Sequence, residues 1–180
     1  MADTFKKLST ISLGGVNTGT FTSIPNTYTD LQIYFSGRTV KTGSTTDGLL
    51  VTINNDTGAN YKRTTLYNDY SAIYGNGDNT GYQSYINTGL GDITATNALT
   101  NSLGKAWFYF GNYANTSQFK QVSFQGTSQT NSDTANTGYF YFAAAQWANT
   151  NAITSIRMFS SSGSSFVTGS SATLYGILKG

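Results

Sequence analysis

Eight aspartates, Asp3, Asp30, Asp47, Asp56, Asp69, Asp78, Asp92 and Asp133, are the only acidic side chains in this sequence, which has no His, no Cys and no Glu. That set bounds the chemistry. Without imidazole there is no common proton shuttle and no Ser-His-Asp triad, and without a thiol there is no cysteine nucleophile. A paired-carboxylate hydrolase would have to be built from Asp alone. Most of these aspartates stand beside Asn, Gly or Thr, where a short acceptor side chain caps a turn. The chain therefore reads as a non-enzyme.

Two loops carry oxygen donors of the kind that hold calcium. One is Asn54, Asn55, Asp56, Thr57 and Gly58; the other is Asn76, Asp78 and Asn79. Neither has the spacing of the regular calcium loop with its distal bidentate Glu, and turn formation accounts for both. The glycines around Asp78 lack the Lys-Ser/Thr continuation of a phosphate loop. No cofactor is implied.

What the chain has in quantity is aromatic surface: 13 Tyr, 11 Phe and 2 Trp. The segment with Tyr67, Tyr70, Tyr74, Tyr82 and Tyr85 lies among Asn and Asp, a combination that stacks on sugar rings and hydrogen-bonds their hydroxyls. The same residues suit a sandwich core or a subunit interface, because Tyr joins apolar area to a polar tip. Both readings stand at this point. Nucleic-acid binding is disfavoured, since only the pairs Lys6–Lys7 and Lys62–Arg63 are adjacent cations.

The elements that must position these residues are strands. Charged residues make up only 10% of the 180, the net charge is +2, and Ser, Thr, Asn and Gly fill the spaces between apolar residues. Disordered chains are poor in aromatics, so a folded domain with an uncharged polar surface is expected. Its size suits one domain with a core that needs no disulfide. No signal peptide follows Lys6 and Lys7, and the longest apolar run, Tyr139 to Ala145, is far too short for a membrane span. Synthesis and folding in the cytoplasm, with no membrane partner, is the default.

Alternation predicts strands over Phe5 to Leu13, Asp30 to Gly37, Leu49 to Ile53, Thr64 to Tyr70, Tyr82 to Ile86, Lys105 to Tyr109, Phe119 to Gln125, Tyr139 to Trp147, Ile153 to Phe159 and Ser171 to Ile177. Leu49, Val51 and Ile53 are expected on one face. Ala106, Phe108 and Phe110 oppose Trp107 and Tyr109, and Lys120 shares a face with Val122 and Phe124. Tyr139 to Trp147 is bulky on both faces, which suits an interior strand or one covered by a partner. Arg38 to Gly48, Asn54 to Asn60 and Gly75 to Gly81 read as loops, and Gly89 to Ser102 as a segment with at most a turn of helix.

Nine or ten strands without crossover helices argue for an all-β fold, a single antiparallel β-sandwich, with a jelly roll favoured by strand number. Residues 1–15 form an N-terminal arm or a first strand, and residues 16–180 form the sandwich.

Three stretches resemble a group of tailed-phage virion structural proteins: Ile24, Pro25, Thr27, Tyr28 and Leu31; Asn54, Asp56, Thr57, Gly58, Asn60 and Tyr61; and Gly169, Ser170, Thr173, Leu174, Tyr175, Gly176 and Ile177. The resemblance implies a capsid decoration or cement protein, a homotrimer on the virion's capsid surface that bridges copies of the major capsid protein. A tail or fibre domain that binds host receptor or carbohydrate is the alternative. It brings no catalytic residue with it.

Overall fold

The computed structural model describes residues 4–68, 72–78, 81–88, 93–130 and 138–178. Among them are fourteen strands: β1 (Phe5–Ser12), β2 (Thr18–Phe21), β3 (Asp30–Gly37), β4 (Thr46–Asp47), β5 (Leu49–Ile53), β6 (Tyr61–Asn68), β7 (Ile73–Gly77), β8 (Ile86–Asn87), β9 (Ile93–Thr94), β10 (Gly104–Phe110), β11 (Lys120–Ser128), β12 (Tyr139–Trp147), β13 (Ile156–Ser160) and β14 (Ser171–Ile177). The large sheet has eight strands in the order β1-β14-β3-β10-β11-β12-β6-β7, the small sheet four in the order β2-β13-β5-β8, and β4 pairs with β9. The ladders are antiparallel, and core side chains from both sheets form one cluster, so the fold is an all-β, sandwich-like arrangement.

The pairings nest. β1 runs against β14 and β3 against β10 in the large sheet, while β2 runs against β13 and β5 against β8 in the small one. Beyond β10 the large sheet continues through β11, β12, β6 and β7, four strands that the small sheet does not match in number. Strand alternation then decides which side chains are enclosed. From the large sheet, Phe35, Phe108, Phe124 and Trp147 turn inward to meet Val51, Ile53, Ile156 and Met158 of the small sheet. Phe108 stacks on Phe124 at 5.6 Å, and Tyr141 meets Phe124 edge-on at 6.1 Å.

Several segments differ from the sequence reading. The stretch 38–48 contains β4, and Arg38 and Thr39 enter isolated bridges. Gly75, Asn76 and Gly77, expected in a loop, are strand residues because β7 is held by its pairing with β6, which overrides their low β-propensity. Tyr82 to Ile86 is mostly irregular: Gln83 bridges to Tyr61, and only Ile86 enters β8. In place of a helical turn, the described part of 89–102 holds β9 followed by hydrogen-bonded turns. All five residues of β5 are buried. Its second face is shielded where Tyr85 lies edge-on to Phe159, the in-register neighbour of Leu50.

With few carboxylates available, buried cations are solvated by backbone carbonyls. Lys120, only 2% exposed, donates from Nζ to the carbonyls of Asn115 (2.6 Å), Gln118 (2.8 Å) and Thr150 (3.0 Å). Arg38 donates to Leu99, Thr96 and Ala98 in the same way. The buried Asp47 gathers donors instead: Thr39, Ser160 and Ser162 on Oδ2, and Gly48 N and Ser161 on Oδ1. These hubs lock loops that no regular ladder holds.

Candidate functional site

The outer face of the large sheet departs from the polar surface expected of a solvated sheet. In β10, Ala106, Phe108 and Phe110 are buried, which turns Lys105, Trp107 and Tyr109 outward. Register places Trp107 between Tyr34 of β3 and Gln125 of β11. Tyr34 stands opposite Thr173, Gln125 opposite Phe142, and Phe142 opposite Leu66. One row, Thr173–Tyr34–Trp107–Gln125–Phe142–Leu66, therefore crosses six strands, a span of roughly 24 Å at the usual strand spacing.

Two depressions follow this row, and a third adjoins the second beside it. The first, about 380 Å³, lies between Tyr34, Trp107, Lys105, Gln125 and Phe140. The second, about 400 Å³, lies between Trp107, Gln125, Phe142, Ala144 and Leu66. The third, about 500 Å³, is polar, lined by Lys62, Arg63, Asp78, Gln121, Gln146 and Ala144 among others. Trp107 and Gln125 belong to the first two and Ala144 to the last two, so the depressions join into one diagonal groove. Small residues dig it: Ser123, Ala144 and Thr64 are cross-strand neighbours in the row beside the aromatic one.

The groove's polar groups are held in place. Gln32 Nε2 donates to the Tyr34 hydroxyl at 2.8 Å. The Tyr109 hydroxyl donates to Asp30 Oδ2 at 2.6 Å; that bond, with burial and the carboxylate's charge, pushes the phenol up to about 12. On the other face of β6, where Arg63 Nη1 also donates to Thr65 Oγ1, Arg63 Nε lies 3.6 Å from Asp78 Oδ1, and Arg63 N donates to Asp78 Oδ2 at 2.9 Å. The Lys62 ammonium sits 5.0 Å from the centre of the Tyr82 ring.

Of the five tyrosines singled out in the sequence, the four among the described residues do not form one cluster. Tyr67 and Tyr74 stack at 5.2 Å on the face of β6 and β7 opposite the groove, Tyr67 packing against the core. Tyr82 reaches the groove's margin through Lys62, and Tyr85 packs on Phe159 across the molecule. Tyr70 lies outside the described residues. The groove aromatics Tyr34, Trp107, Phe140 and Phe142 were visible in the sequence only as alternate positions of β3, β10 and β12. Their juxtaposition needs the strand order.

The two oxygen-rich loops make turns. Asn54 and Asn55 take left-handed φ angles of 52° and 55°, which Asn tolerates. The carboxylate of Asp56 accepts from Trp147 Nε1 (2.7 Å), Asn60 Nδ2 (2.9 Å) and Gly58 N (2.8 Å). Asp78 is engaged by Arg63, and Asn79 lies outside the described residues, as do Asp3, Asp69, Asp92 and Asp133. Among the described residues no three of His, Cys, Asp and Glu converge.

No family model matches this chain, and no curated protein matches it. Among solved structures it is similar to the alginate lyase Aly36B at 8% identity, covering 95% of this chain and 82% of that one, with a TM-score of 0.35. It is also similar to a legume lectin-like domain from Entamoeba histolytica, at 10% identity over 97% of this chain and 89% of that one, TM-score 0.20. A third similarity is to the CBM2 module of the evolved Dit of Lactobacillus casei BL23 phage J-1, at 7% identity over 91% and 69% of the two chains, TM-score 0.18. At these scores none of the three carries an argument about fold or function here.

Proposed function

We propose that this protein is a glycan-binding domain whose binding surface is the diagonal groove on the outer face of the large sheet, acting without catalysis. The observation that carries this reading is the row in which Tyr34 and Trp107 sit side by side with Gln125. Aromatic rings offer flat apolar faces to the C–H face of a sugar ring, while Gln125, Lys105 and Thr127 supply the donors and acceptors that hydroxyls need. The groove is open, elongated and mounted on paired strands, which suits a chain-like ligand better than a small molecule enclosed in a pocket. A tail or fibre domain that holds host carbohydrate is the corresponding biological setting.

We also read the sandwich as a jelly roll. Supporting this, the nested pairs β1·β14, β2·β13, β3·β10 and β5·β8 alternate between sheets, as a long hairpin rolled into two sheets does. On this reading β11, β12, β6 and β7 are an extension of one sheet, and the groove straddles the junction.

The test uses the protein's two tryptophans, since Trp147 is buried and Trp107 faces the groove. Polysaccharides of varied composition are titrated while Trp fluorescence is followed, with affinity electrophoresis in parallel. Binding is expected to change the emission of the wild type and leave that of Trp107→Phe unchanged. Retention of no polysaccharide in the panel would sink the proposal.

A second reading, attachment to a capsid as a trimeric decoration protein, is favoured by the far end of the same face. Phe142 and Leu66 are 50% and 53% exposed and neither has a polar tip, as is usual at the centre of a protein interface. Sedimentation that shows a stable trimer, with density over capsid subunits in images of intact virions, would support it.

A further inference from the structure

We infer that the groove selects anionic glycans, those that carry carboxylate or sulfate groups along the chain; this rests on the glycan reading above. The argument is one of charge placement. The chain has ten Lys and Arg against eight Asp, a net charge of +2. Lys105 lines the first depression and Lys62 the third, whose wall also includes Arg63 and Asp78, paired with each other on the face of β6 turned away from the aromatic row. Those four residues account for the whole excess of positive charge; elsewhere in the sequence seven cations face seven aspartates.

The two lysines are placed for a ligand. Lys105 is exposed, flanked in register by Ser36 and Thr127, and no carboxylate is paired with it in the sheet. Lys62 is exposed and held over the Tyr82 ring, which fixes its position without neutralising it. Arg63 is occupied by Asp78, so the free positive charge of the groove is that of the two lysines. Asp30, on the same face, is buried and spends its oxygens on the Tyr109 hydroxyl and Asn112 N. Between the lysines runs the uncharged aromatic stretch from Trp107 to Phe142. A ligand that fits both must offer apolar ring faces in the middle and negative groups towards both ends. A polyuronate or a sulfated polysaccharide has that pattern; a neutral glucan does not.

The experiment compares polygalacturonate with its fully methyl-esterified form, the same backbone without charge, alongside other polyuronates, sulfated galactans and neutral glucans. Binding is measured by calorimetry at 20 mM and 500 mM NaCl. Anionic chains are expected to bind more tightly than uncharged counterparts and to weaken with salt, as screening shortens the reach of the lysines from roughly 20 Å to roughly 4 Å. Lys62→Gln and Lys105→Gln should each weaken anionic binding roughly two- to fivefold at low salt. For both variants the loss should be larger for an anionic chain than for its uncharged counterpart, and that difference should vanish at 500 mM NaCl. Equal binding of charged and uncharged forms, or binding of neutral glycans alone, overturns this inference and leaves the glycan reading intact. Retention of no glycan of either class overturns both.

Discussion

Tyr34→Ala isolates what the groove's rings contribute to binding. Tyr34 is 49% exposed on β3, beside Trp107 and opposite Thr173. A Tyr side chain presents on the order of 200 Å² of surface, so roughly 100 Å² is open to a ligand. At about 25 cal/mol per Å², covering all of it would stabilise a complex by ~2.5 kcal/mol. A sugar ring that lies over half of that area is worth ~1.2 kcal/mol, about an eightfold change in Kd. The fold should lose little, since the ring's contacts are the Gln32 hydrogen bond and an edge contact with Tyr175 at 5.8 Å. Calorimetry with the tightest polysaccharide of the panel gives the Kd, and urea unfolding gives the stability. Tyr34→Phe keeps the ring and should stay within about twofold of the wild type. Were Tyr34→Ala to bind as tightly as the wild type at unchanged stability, the ligand would not touch this row and the groove would be misassigned.

Three further outcomes follow from the fold. Asp47 is held below the usual carboxylate range: burial opposes ionisation, and the bonds from Ser162, Ser160, Thr39 and Gly48 outweigh it. Its contribution is therefore full above the unfolded value of ~3.9 and fades as pH falls through the lower folded value. Asp47→Asn should cost ~2–4 kcal/mol in urea unfolding at pH 7 and distinctly less at pH 2. Lys120→Met strips the donor from three carbonyls that have no replacement and should cost at least ~3 kcal/mol in the same assay. At Gly176 a Cβ would run into the Tyr28 ring, so Gly176→Ala should cost ~1–3 kcal/mol, and a double-mutant cycle with Tyr28→Ala should recover part of it.

The strands were legible where alternation was clean. Asp30 to Gly37 and Ser171 to Ile177 are strands over those same residues, because both put Leu, Ile, Phe or Ala on one side and polar or aromatic residues on the other. Lys120 fell on the apolar side of β11 by the same periodicity, and it is buried there despite its charge. What periodicity does not carry is pairing. β7, with its two glycines, exists through its partner β6, and two-residue strands such as β4 and β9 have no pattern of their own. Two of the three stretches that resemble phage proteins meet in space: the Tyr28 ring lies over Gly176. No reading of either stretch alone would have joined them.

The same distinction explains why the sequence pointed to Tyr67, Tyr70, Tyr74, Tyr82 and Tyr85 and not to the groove. Density of tyrosine along the chain is a one-dimensional signal, whereas a platform is made across strands. Tyr34, Trp107 and Phe142 are more than thirty residues apart from one another in the chain and share one row of the sheet. Scattered exposed aromatics are ordinary on any protein surface. Three in one row, on the face turned away from the core, with an amide between two of them and Lys62 and Lys105 at the margins, are not a scatter. Outer positions of a solvated antiparallel sheet are the cheapest places in a fold to put polar residues. The exposed Tyr34, Phe140 and Phe142 add nothing to the core, and the proposed groove is the reading that gives them a role on this face.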